Sequence, residues 1–130
     1  MKKIVLFLVL FCSFTIVSKA QDQFTDWPAL GEFHEIMAAT FHPAEDGNLE
    51  PARQRTGELL DKADLLEKSV FPAKYNTPTL KAAVKTLVKN TDKLYGLIKK
   101  RGTDDKVKTQ LTIVHDSFHK IVGLCKDPKK

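Results

Sequence analysis

Four histidines are the residues of this chain best suited to chemistry, and they fall in two pairs: His34 with His42, and His115 with His119. His115 and His119 are four apart, so on a helix they leave one face about 6 Å apart. That spacing can offer two imidazoles to one metal ion, as helical zinc motifs do. Imidazole suits Cu, Zn and Ni, and a thioether such as Met37 shifts the preference towards Cu(I). Asp116 and Glu35 are near enough in sequence to hydrogen-bond the far nitrogen of a ligating ring. Against this stands the commoner role of a histidine on an apolar face, a core residue whose nitrogens find partners.

The elements that must position these residues are helices. Leu30, Phe33, Met37 and Phe41 recur at helical spacing after Asp26, expected as the cap, and Pro28 in the first turn. Residues 21–25 are expected as a loose lead-in, and Pro43 is expected to stop this first helix near His42. After a turn-rich linker at 43–47, Asn48 can cap a second helix with Leu49, Thr56, Leu59, Ala63, Leu66 and Val70 inward. Phe71-Pro72 should end it. Thr77-Pro78 opens a third, with Leu80, Val84, Leu87, Thr91, Leu94 and Ile98 as its stripe. Gly102 follows Lys99, Lys100 and Arg101 as a stop. Thr103 caps a fourth helix, with Leu111, Val114, Phe118, Ile121 and Cys125 facing in.

Four amphipathic segments with short connections predict an all-α fold, an antiparallel up-down-up-down four-helix bundle in one domain over residues 21–130. No sustained strand alternation competes with it. With the first and last helices antiparallel, a rise of about 1.5 Å per residue sets His34 level with His119 and Met37 level with His115. The expected metal site is therefore His34, Met37, His115 and His119. His42, roughly 12 Å further along the axis, is expected outside a compact site, either in a weaker one with Glu45 or facing solvent.

Residues 1–20 read as a cleavable signal peptide. Lys2 and Lys3 precede an apolar run from Ile4 to Val17, and small Ser18 and Ala20 occupy the two positions that a signal peptidase inspects. The run is shorter than the ~20 residues that span a bilayer as a helix; an uncleaved N-terminal anchor is the alternative. Bulky Phe11 before Cys12 argues against lipidation there. The mature chain is thus expected to begin at Gln21, to be periplasmic or secreted, and to have no membrane insertion after cleavage.

Export changes the composition. Three lysines leave with the signal, so the net charge of +5 falls to +2. That is no nucleic-acid footprint. Cys125 is then a lone thiol, expected in the core, where a free cysteine behaves as a small apolar residue. Neither a Ser-His-Asp nor a Cys-His signature is present, and no enzyme is expected.

With Met37 on the first helix and His115-Asp116-Ser117-Phe118-His119 on the last, the chain resembles the cytochrome b562 and cytochrome c′ group of small periplasmic bundles. His119 matches the axial histidine of the c′ pattern. His115 and Phe118 stand where its two haem-attaching cysteines belong, which excludes covalent haem. The resemblance implies an alternative noncovalent haem b, with Met37 and His119 or His115 as axial pair. The chain is similar also to small exported His-bearing bundles that bind copper, nickel or zinc. Three functions follow as expectations: a transition-metal-binding protein of the envelope, a b-type electron carrier, or a protein-interaction module with an envelope partner and structural histidines. The chain is expected to be a monomer or a dimer.

Overall fold

The computed structural model describes residues 22–127. The segment 1–20 expected to be a signal peptide, Cys12 included, lies outside the described residues. Five α-helices follow one another: α1 (Asp22–Asp26), α2 (Pro28–Glu45), α3 (Glu50–Lys68), α4 (Pro78–Lys99) and α5 (Asp104–Lys126). A single 3₁₀ turn, Ala73–Tyr75, lies between α3 and α4. Among the described residues there is no strand. The fold is all-α, with four long helices packed on one another and α1 laid against α2 and α5.

Each long helix buries one stripe. Leu30, Phe33, Ile36 and Met37 of α2 meet Ala52, Leu59, Ala63 and Leu66 of α3 in one continuous core. Leu80, Val84, Leu87 and Leu94 of α4, with Val107, Leu111, Val114, Phe118 and Ile121 of α5, complete it. Burial on this scale stabilises by roughly 25 cal/mol per Å² of apolar surface removed from water. Cys125 joins the core, and burial pushes its thiol up to about 11, so it is inert rather than nucleophilic.

Several boundaries differ from those read in the sequence. The segment 22–26 is helical rather than a loose lead-in. Asp26 ends α1 and pairs with Lys74, and the residue preceding α2 is Trp27. Trp27 is buried. Its Nε1–H donates to Ser69 Oγ at 2.8 Å, and its ring packs on Phe71 and Tyr75. This aromatic group closes one end of the bundle.

Pro43 does not stop α2, which runs on to Glu45. Proline removes one intrahelical hydrogen bond, but in the last turn little helix remains to be lost. The stop is Gly47, left-handed at φ +87°. Asn48 N–H donates to Pro43 O at 2.9 Å and Gly47 N–H to Ala44 O at 3.1 Å, the paired bonds of a Schellman ending. Leu49, not Asn48, is the residue preceding α3, and Asn48 Oδ1 accepts from Glu50 N–H at 3.1 Å from one position further out. At the other end α3 stops at Lys68, so Val70 is not on the inner face; it is 91% exposed. Thr77 caps α4 as expected, its Oγ1 accepting from Leu80 N–H at 3.1 Å.

Polar contacts fix neighbours against one another. Gln110 Nε2 of α5 donates to Asn90 O of α4 at 3.0 Å, and Asn90 Nδ2 to Ser117 Oγ at 2.8 Å. Arg53 of α3 reaches Gly102 O and Asp104 at the start of α5. No such bond joins α2 to α5 among the described residues, and these two helices approach each other less closely than consecutive ones do. Their seam is where the histidines lie.

Candidate metal centre

The site grows from two helical faces. On α2, His34, Ala38 and His42 form one row of four-residue steps, flanked by Met37 and Phe41. On α5, His115 and His119 form another, with Phe118 beside them. The rows face across the seam and enclose a cleft of about 150 Å³. His34, Met37, His115 and His119, the four residues expected from the sequence, all line it, and so does His42.

His115 and His119 are in direct contact. Their Nε2 atoms are 3.0 Å apart. One ring must donate its N–H to the lone pair of the other, so the two carry different tautomers. The two nitrogens are close enough for one ion to reach both. An ion bonded to both at ~2.0–2.1 Å would see them at an angle of about 95°, and a few tenths of an ångström of opening would reach a tetrahedral angle. His115 Nδ1 lies 3.8 Å from Asp116 Oδ1, beyond hydrogen-bond length, and that carboxylate is exposed. His119 is exposed, while His115 is half-buried, its ring flat on Phe41 with centroids 3.7 Å apart.

His34 is set differently. Its ring stacks on Phe24 of α1 at 4.8 Å and on Phe118 at 5.4 Å. Phe33, on the next face, packs against the same Phe118 at 5.6 Å. Met37 is buried, at 1% exposure, on the inner wall of the cleft. His115 is stacked on Phe41, four residues beyond Met37, which is not the level that simple antiparallel counting assigns to it.

The electrostatics follow from crowding. Burial, then the neighbouring charges of His42 and His119, holds His34 below the ordinary imidazole range, with Glu35 opposing. Burial and then His119 do the same to His115, against Asp116 and Glu45. His34 and His115 are thereby biased towards the neutral ring, the form that ligates metals. Among the described residues no three His, Cys, Asp or Glu side chains already close on one point. The preformed element is the α5 pair.

His42 is the residue that counting along the axis left out. Eight residues from His34 is two four-residue steps, so both share a face, and that signal was in the sequence. Its weight depended on α2 continuing through Pro43. His42 Nδ1 is 3.0 Å from Glu45 Oε2. Phe24 was also missed, because residues 21–25 carry no long amphipathic pattern. Comparison with protein-family models, with curated proteins and with solved structures finds no match for this chain.

Proposed function

We propose that this chain is an exported transition-metal-binding protein, for Cu, Zn or Ni, serving storage, delivery or sensing in the envelope. In this reading residues 1–20 are a cleaved signal peptide, and residues 21–130 form an up-down-up-down bundle with antiparallel neighbours. Short links between helices that pack on each other support that topology. No helix among the described residues is long and apolar enough to cross a membrane.

One observation carries the metal reading: the Nε2 atoms of His115 and His119 lie 3.0 Å apart, within reach of one ion, in a cleft whose opposite wall offers His34, Met37 and His42. A purely structural pair would not need imidazoles and a thioether on the facing helix as well. The cleft favours an ion over a b-type haem. Its volume of about 150 Å³ is below the ~300–1,000 Å³ of sites that hold larger ligands, and Phe41 and Phe118 fill the space a macrocycle would need.

The test is a titration of untagged protein recovered from the periplasm with Cu(I), Cu(II), Zn(II) and Ni(II), after its absorption spectrum is recorded. Saturable binding that drops at least ~100-fold in His119→Ala, with helicity retained, is the expected result. A Soret band in the purified protein would replace the ion with haem. A colourless protein that binds none of the four ions would leave an interaction module. Sequencing the recovered N-terminus tests export, with Gln21 as the expected first residue.

A further inference from the structure

We infer that His42 is the ligand through which α2 closes on an ion held by the His115–His119 pair, and that Glu45 is the positioning residue that aims it. The inference rests on the metal reading and deepens it by choosing among the residues α2 offers.

The first ground is the His42–Glu45 hydrogen bond, 3.0 Å from Nδ1 to Oε2. When a neutral imidazole donates Nδ1–H to a carboxylate, its lone pair sits on Nε2. The same contact raises the basicity of that nitrogen. This is the arrangement that habitually supports metal-bound histidines. None of the other three histidines makes a carboxylate contact this short. Glu45 is also close enough to act on His115 across the seam.

The second ground is freedom to move. Because no three ligands already converge among the described residues, an ion on α5 must draw its third ligand in. His34 is stacked against Phe24 and Phe118, and turning its ring out would break both contacts. Met37 is buried. His42 is exposed, lines the same cleft, and neighbours Phe41, the residue whose ring lies on His115. His42 and Glu45 are both exposed, so the two side chains can turn together towards the seam with their hydrogen bond kept.

The consequence is mechanical as well as chemical. The ion would tie α2 to α5 across the loosest seam of the bundle, so binding should stiffen the whole fold. A ligand that binds only the folded state stabilises it in proportion to the logarithm of its concentration over Kd.

The experiment is a chelator-competition titration of the purified protein with Zn(II) and with Ni(II), paired with thermal melts with and without metal. Wild type is compared with His42→Ala, Glu45→Ala, Glu45→Gln and His34→Ala. His42→Ala should weaken affinity at least ~100-fold and abolish the metal-induced rise in Tm. Glu45→Ala should weaken it by ~10–100-fold, the usual cost of losing such a carboxylate. Glu45→Gln should lie between Glu45→Ala and wild type, because its amide oxygen still accepts the hydrogen bond without the charge. His34→Ala should lose far less affinity than His42→Ala does. Unchanged metal-free melts for the His42 and Glu45 variants would show that these exposed positions leave the fold intact. Wild-type affinity in His42→Ala, or a loss confined to His34→Ala, overturns the assignment while leaving a metal protein. No binding by wild type overturns the metal reading and this inference with it.

Discussion

At the scale of single residues, the histidines are governed by what their rings touch. His34 and His115 are held below the ordinary imidazole value, first by burial and then by other histidines. A group whose pKa is lower folded than unfolded gives stability that is complete above the unfolded value, ~6.5 for histidine, and lost as pH falls through the folded value. The metal-free protein should therefore melt at a constant temperature between about pH 7 and 8 and at progressively lower temperatures from about pH 6.5 downward. Melts across pH 5–8 check this, and His34→Gln should flatten part of the slope. A slope that is unchanged in that variant would place the titrating groups elsewhere. The i,i+4 pair was legible from spacing alone. The stacking of His34 on Phe24 and of His115 on Phe41 was not, since each joins different helices.

At the scale of elements, helix ends decided where the sequence was misread. Pro43 is a strong signal to stop, yet α2 runs on to Glu45 and is closed by the left-handed Gly47. The end of α4 shows the same bonding with its residues displaced by one. Gly102 N–H donates to Leu97 O at 2.9 Å and Arg101 N–H to Ile98 O at 2.9 Å. The left-handed residue is Arg101, at φ 55°, a conformation that costs a side-chain-bearing residue roughly 1 kcal/mol. Gly102 serves instead for space, because a Cβ there would lie 2.7 Å from Leu97 Cδ1. Arg101→Gly should therefore stabilise the protein by up to roughly 0.5 kcal/mol, after allowance for the greater freedom of glycine in the unfolded chain. Urea unfolding at constant m-value is the check. Destabilisation would mean that the arginine side chain contributes more than its backbone costs.

At the scale of the whole molecule, the bundle is tied unevenly. The α2–α3, α3–α4 and α4–α5 pairs follow one another along the chain and pack closely, whereas α2 and α5 meet from opposite ends of the sequence along a looser seam. The aromatic group around Trp27 instead secures α2 to the segment between α3 and α4. Truncating a buried tryptophan costs roughly 3–5 kcal/mol, a large share of the ~5–15 kcal/mol that holds a domain of this size together. Trp27→Ala should accordingly lower the chemical-denaturation midpoint sharply, while Trp27→Phe, which keeps most of the ring but leaves Ser69 Oγ without its donor, should lose less. Equal midpoints for wild type and Trp27→Ala would show that this end of the bundle contributes little to cooperativity.

The sequence by itself determined the all-α class, the inward stripes of the four long helices, the cap at Thr77, and the pairing of His115 with His119. These depend on periodicity and on hydrogen bonds between residues two to four apart, which act wherever the chain lies. It placed Cys125 in the core for the same reason. Only the tertiary structure decided that Phe24 packs over His34, that Phe41 covers His115, that Trp27 is buried against Ser69, and that His42 shares the cleft. Each of these sets side by side groups far apart in the chain, and how two helices cross along a seam is fixed by the packing of every side chain between them.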